Sequence, residues 1–116
     1  MTLTLPWPPS MNHYYAVVRG RKITSKRGRE YQAAVFAIAV HGLSFPAEMR
    51  LSVHVTARPP DRRKRDLDNL AKPILDALQK AGVFGDDGQI DDLRIVRAEP
   101  SKPGSITVEV SELKGV

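Results

Sequence analysis

The chain contains no cysteine, which excludes disulfides, thiolate zinc sites and a cysteine nucleophile and fits a reducing compartment. No apolar run approaches the roughly 20 residues that cross a bilayer, and the first residues lack the basic segment and apolar core of a secretory signal. These absences set the expectation of a cytoplasmic protein without membrane contact. No internal repeat or low-complexity tract is present. Acidic residues are scarce in the first part: residues 1–65 hold 12 Lys/Arg against 3 Asp/Glu, while residues 66–116 hold 6 against 10. The basic part suits a polyanionic partner, because each neutralised phosphate releases condensed counterions. Carboxylates working beside phosphates need a cation between them, so the asymmetry points to metal chemistry on a nucleic acid. Two oppositely charged, solubilising faces are the plainer reading of the same counts.

A length of 116 residues sets the expectation of one domain spanning 1–116, which buries roughly two-thirds of its unfolded surface without staples. It is small for an enzyme that must hold a large substrate, which favours oligomerisation. Thr2–Leu5 alternates as a short strand, and Pro6-Trp7-Pro8-Pro9 then reads as a rigid surface loop. His13–Val18 and Arg21–Thr24 form a hairpin turned at Arg19-Gly20. Ser25 caps a helix whose stripe is Tyr31, Ala34, Val35, Ile38 and Ala39, ended by Gly42 and Pro46. Leu51, Val53, Val55 and Ala57 alternate with polar residues, the pattern of a half-buried strand. Arg58–Arg65 is too rich in charge and proline for core structure. A second helix runs from about Asn69 to Ala81, with Leu70, Ile74, Leu78 and Ala81 buried and Gly82 closing it. Pro73 in its first turns asks for a late start or a kink. Leu93–Ala98 and Ser105–Val110 are the last strands. The order β-β-β-α-β-α-β-β predicts an α+β domain, two helices packed on a mixed sheet.

The chemistry concentrates in Arg62-Arg63-Lys64-Arg65-Asp66-Leu67-Asp68-Asn69-Leu70, with Lys72 and Asp76 following. In an extended segment, Asp66 and Asp68 at i and i+2 project to one side. They supply the hard oxygens that Mg²⁺ prefers, and Mg²⁺ needs few because it keeps its waters. Lys72, one helical turn beyond Asp68, can face the same phosphate and offset the charge that builds on it. Each feature also has a structural reading. Aspartates favour helix starts, and Lys72, Asp76 and Lys80 form a solvated i,i+4 ladder. The basic run set directly against the two acids favours the metal reading. Asp86 and Asp87 lie in a Gly-bounded turn, where Asx residues are common, and spacing leaves open whether that turn reaches Asp66 and Asp68. Asp91 and Asp92 read as solvated or edge-protecting charges. His13, His41 and His54 lack metal-ligand spacing, and His54 reads as a surface residue. Trp7, Tyr14 and Tyr15 either stack on unpaired bases or close the core edge. Lys22, Lys26, Arg27 and Arg29 read as phosphate contacts, as do Arg62, Arg63, Lys64 and Arg65.

Three blocks of this sequence resemble the RusA family of Holliday junction resolvases. They are Leu5-Pro6-Trp7-Pro8-Pro9-Ser10 with Asn12 and Tyr14-Tyr15; Arg65 to Leu70 with Lys72 and Asp76-Ala77-Leu78; and Gly82 with Asp86-Asp87 and Gln89. The resemblance covers nearly the whole chain in order and spacing. It implies a Mg²⁺-dependent homodimer that resolves four-way DNA junctions by paired phosphodiester hydrolysis, in recombination and repair, with no small-molecule cofactor. Carried over by position, it makes Asp66, Asp68 and Asp87 the metal-binding and catalytic acids, Lys72 the catalytic lysine and Asn69 a supporting polar residue. The rival expectation is a non-catalytic basic DNA-binding module whose acids merely cap a helix.

Overall fold

A computed structural model describes residues 1–114. Six strands and two long helices follow the expected order, with a one-turn helix, α1, added between the first two strands: β1 (Thr2–Pro6), α1 (Met11–Tyr14), β2 (Tyr15–Val18), β3 (Arg21–Thr24), α2 (Lys26–Ala39), β4 (Leu51–Arg58), α3 (Asp68–Lys80), β5 (Ile90–Arg97) and β6 (Ser105–Glu112). A one-turn 3-10 helix at Asp87–Gln89 precedes β5. The main sheet has the order β1-β6-β4-β5, and β2 and β3 form a separate hairpin. β6 runs antiparallel to both neighbours, while β4 and β5 are parallel. Parallel neighbours need a crossover, and α3 supplies it. The fold is α+β with a mixed sheet, as the pattern predicts.

The alternation read in β4 is observed except at Ser52, which is buried although it lies on the polar side. Leu51, Val53, Val55 and Ala57 are buried beside Val108 and Val110 of β6 and Leu5 of β1. The apolar faces of α2 and α3 complete this core through Tyr31, Val35, Leu70, Ile74 and Leu78. Each fully buried aliphatic chain contributes roughly 1.5–3 kcal/mol.

The structure corrects several boundaries. His13 and Tyr14 belong to α1, not to the hairpin. Ser10 sits extended before α1, and its carbonyl accepts from the amides of His13 and Tyr14, which winds one helical turn. Pro8 is buried, so the proline run is not wholly a surface loop. The buried face of α2 is Gly28, Tyr31, Val35 and Ala39, and Ile38 is exposed. Gly28 is required by close approach, since a Cβ there would lie 2.3 Å from the Tyr14 carbonyl oxygen. α3 starts at Asp68 and carries Pro73 inside, buried against the core. Ala81 is only half-buried, while Gly82 closes the helix at φ +84°. β5 begins at Ile90, so Asp91 and Asp92 lie on the edge strand itself. No helix among the described residues is long and apolar enough to cross a membrane.

Candidate active site

β4 ends at Arg58 and β5 at Arg97, on the same end of the parallel pair. The segment 59–67 leaves β4 there and α3 begins beside it, with the Ser101 amide bonded to the Pro59 carbonyl at 2.8 Å. Asp61 organises this segment. Its carboxylate accepts from Arg65 at 2.7 Å and from the Arg63 amide at 2.9 Å. These contacts, Arg65 first, hold the Asp61 carboxyl down to about 2. Arg65 is thereby committed to the protein and is the most buried of the basic run, while Arg62, Arg63 and Lys64 are exposed. Arg62 reaches Glu99 at 3.2 Å across open solvent, a pair that contributes little.

Asp66 and Asp68 follow this clamp, both exposed, with Asn69 also exposed beside them. One face of α3 then carries Asp68, Lys72, Asp76 and Gln79 at helical spacing. Lys72 Nζ donates to Asp76 at 2.9 Å, and the Tyr15 hydroxyl donates to the other oxygen of Asp76. The Lys72–Asp76 rung of the expected ladder therefore forms, but Asp76 continues to Tyr15 rather than to Lys80. The Asp76 hydrogen bond raises the Lys72 pKa, and the charge of Asp87 raises it further. Burial and then Asp76 push the Tyr15 phenol up. Lys22 lies 4.4 Å above the Tyr15 ring, which joins the basic hairpin to this helix face. Lys26, Arg27 and Arg29 are exposed at the start of α2, next to the hairpin. A polar cleft of about 370 Å³ separates the two, lined by Thr24, Gln32, Asp76 and Gln79.

The acidic turn after α3 returns to that face. The Asp87 amide donates to Gln79 Oε1 at 3.1 Å. Gln89 sets the turn from inside: its side-chain oxygen accepts from Gly85 and Asp86, and its amide donates to the carbonyls of Pro46 and Met49. Asp86 caps the turn by accepting from Gly88 at 3.0 Å, which lowers its pKa. Sequence reasoning missed the role of Gln89, although Asp86-Asp87-Gly88-Gln89 carries the D-x-x-Q signal of a capping box.

The eight aspartates divide into two sets. Asp61, Asp76, Asp86, Asp91 and Asp92 each accept a hydrogen bond from Arg, Lys, Tyr, Ser, His or a backbone amide. Among the described residues, the carboxylates of Asp66, Asp68 and Asp87 accept from none of these donors and form no ion pair, and the Asp87 side chain pairs with Asp86, whose pKa it helps to lower. Asp91 is taken by Arg50 and Asp92 by His54 and Ser52. His54 is at the surface, as expected, and is tied there to Asp92 of the edge strand. The structure brings Lys72 and Asp87 into electrostatic range. It gathers no group of three His, Asp or Glu side chains at metal-holding spacing among the described residues. Tyr14 is fully buried, Tyr15 half-buried on Asp76, and Trp7 half-buried against the core with Arg65 5.7 Å above its ring. Tyr14 therefore closes the core.

The sequence pattern of the family described as Endodeoxyribonuclease RusA matches residues 6–111. The crossover junction endodeoxyribonuclease RusA of Escherichia coli strain K12 is 42% identical over 117 residues, covering 97% of this chain and 94% of that protein. The protein of the same name from Enterobacteria phage 82 is 42% identical over 116 residues, covering 96% and 93%. On this agreement, from the proline run to the last strand, the chain belongs to the RusA family of endodeoxyribonucleases.

Proposed function

We propose that this chain is a cytoplasmic, Mg²⁺-dependent resolvase that, as a homodimer, hydrolyses a symmetric pair of phosphodiesters in four-way DNA junctions during recombination and repair. The names of its relatives supply the substrate. The observation that carries the site is the set of three aspartates left without protein donors among eight. Carboxylates free of donors are available to a hard cation, and Mg²⁺ takes one or two of them while keeping waters. Asp66 and Asp68 fit that demand, being exposed, two residues apart and beside the basic run. The resemblance of Gly82, Asp86-Asp87 and Gln89 to a block of the family supports adding Asp87 to the same centre. When bound, Mg²⁺ would supply an activated water and stabilise the leaving oxygen.

The chain's own groups do the rest. Lys72 keeps its proton because Asp76 and Asp87 raise its pKa, so it serves as a fixed positive charge on the phosphate and not as a base. Asp76 and Tyr15 aim it. Asn69 lies beside Asp68 as a supporting polar group. Arg62, Arg63 and Lys64 on one side, with Lys22, Lys26, Arg27 and Arg29 on the other, hold flanking phosphates, while Arg65, bound to Asp61, braces the first of these groups. Water attacks phosphorus in line, leaving a 5′-phosphate and a 3′-hydroxyl. A homodimer suits a substrate of approximate two-fold symmetry. Val17, Val18 and Ile23 on the hairpin and Phe36 and Ile38 on α2 are exposed, apolar surface that a second copy would cover.

A labelled four-way junction incubated with protein tests this reading: paired, symmetric cuts should form with Mg²⁺ and none with a chelator. Binding without cleavage under every divalent metal would make the chain a non-catalytic DNA-binding module.

A further inference from the structure

Between the start of α3 and the ends of β4 and β5 lies a cleft of about 340 Å³, at the low end of the roughly 300–1,000 Å³ typical of ligand pockets. Its composition is mixed in a specific way. Trp7, Pro59, Leu67, Leu70 and Pro100 give it an apolar floor. Around this floor stand five cations, Arg62 to Arg65 and Arg97, against two carboxylates, Asp61 and Glu99. Both carboxylates are already engaged, Asp61 by Arg65 and Glu99 by Arg62. The rim therefore keeps a positive surplus. Arg97 donates to the Arg65 carbonyl, which fixes the rim to the edge strand. The Arg65 guanidinium lies over the Trp7 indole at 5.7 Å, making a cationic and aromatic layer.

A phosphate alone would gain nothing from the apolar floor, and an apolar ligand would gain nothing from the cations. A nucleotide carries both halves: a base with a stacking face, and phosphates on either side. Guanidinium planes and indoles both stack on bases. The cleft also adjoins Asp66 through its chain neighbours Arg65 and Leu67. We infer that this cleft takes an unstacked nucleobase from the nucleotide next to the cut, resting on the Trp7–Arg65 layer while the rim arginines hold its phosphates. This rests on the nuclease reading and adds a base-binding site to it. It also gives a physical source for branch preference. Extruding a base from an intact duplex costs unpairing and unstacking, whereas a base at a crossover is extruded more cheaply.

Trp7 is the only tryptophan, so its emission reports the cleft directly. Trp7→Ala would also loosen the packing of Trp7 on the core, so the base is better removed from the DNA than the ring from the protein. The full chain is titrated, in chelator, with a dye-labelled four-way junction or with the same junction carrying abasic nucleotides at the crossover. Anisotropy of the dye reads binding, and Trp7 emission reads stacking. The intact junction should quench Trp7, and the abasic junction should leave it unquenched and bind about tenfold more weakly, near the lower end of what one stacked base contributes. Trp7→Phe should retain most of the preference for the intact junction. Equal affinity and equal quenching with both junctions would overturn the inference, as would binding with no change in Trp7 emission. Quenching in chelator together with no cutting of the same junction once Mg²⁺ is added would count against the nuclease reading and leave the base site standing.

Discussion

Gln89→Leu removes the side chain that builds the acidic turn while nearly keeping its volume. Gln89 is 3% exposed and makes four hydrogen bonds, two accepted from Gly85 and Asp86 and two donated to Pro46 and Met49. At about 1 kcal/mol net for each bond, the full loss is about 4 kcal/mol. Gly85, Asp86 and Pro46 are exposed, so water recovers part of it and the expected cost is about 2–4 kcal/mol. For a chain of this length that lowers Tm by about 8–16 °C. Far-ultraviolet circular dichroism on heating measures it, and a fall below about 3 °C would refute the reasoning, since it corresponds to less than one net hydrogen bond. The same variant frees Asp87 from its place against Gln79, so junction cutting should fall at temperatures where the protein is folded while binding persists. Gln89→Glu keeps the acceptor half but sets a carboxylate against the two carbonyls, which raises its pKa above the unfolded value. Its penalty relative to wild type should therefore be full at neutral pH and shrink as the group is protonated in acid.

Lys72→Ala should lower the single-turnover cutting rate by about 10²–10³ at saturating protein while affecting affinity much less, because the charge acts on the transition state. A rate within about threefold of wild type would leave Lys72 as a rung worth only about 0.2–0.5 kcal/mol to the helix. Burial holds all three tyrosine phenols above their ordinary value of 10.0. Phenolate absorbance should therefore rise only above pH 10 in the folded protein, and at about 10 after denaturation. Because these raised groups keep their protons in the folded state, stability should be intact below pH 10 and decline above it. Junction affinity should fall steeply with salt, and unlabelled linear duplex should compete less well than branched DNA. Equal competition by mass would point to general DNA binding.

The parts of this fold legible in the sequence are those with long, regular periodicity. β4 alternates over its eight residues and α3 repeats over thirteen, so burial fixes their identity and leaves only a residue or so at the ends in doubt. α1 has four residues and the turn at Asp87 three, too few for any period to register. Ile38 and Ala39 are both apolar neighbours on a helix, and Ala39 faces the core because it continues the buried stripe of Gly28, Tyr31 and Val35, with Gly28 held close to Tyr14. The Asp66–Asp68 pair was legible because its basic flank is local. The address of Asp87 was not, because Gln89 sets it through Pro46 and Met49, about forty positions away. Asp76 shows the same limit. Its lysine partner is one turn away and visible in the sequence, while Tyr15 is 61 residues distant.

The central claim is that the Asp66, Asp68 and Asp87 carboxylates, which accept from no basic side chain, hydroxyl or backbone amide, serve the cutting reaction. Single-turnover cleavage of a four-way junction in Mg²⁺ by Asp66→Asn, Asp68→Asn and Asp87→Asn, with affinity measured on the same samples in chelator, tests it most directly. The account predicts that each variant binds at least as well as wild type, since a negative charge is removed beside phosphates. It also predicts that each cuts at least about 100-fold more slowly, the upper end of what losing even an outer-shell partner of a metal costs. Two of the three cutting within about threefold of wild type, a barrier change of well under 1 kcal/mol, would contradict it.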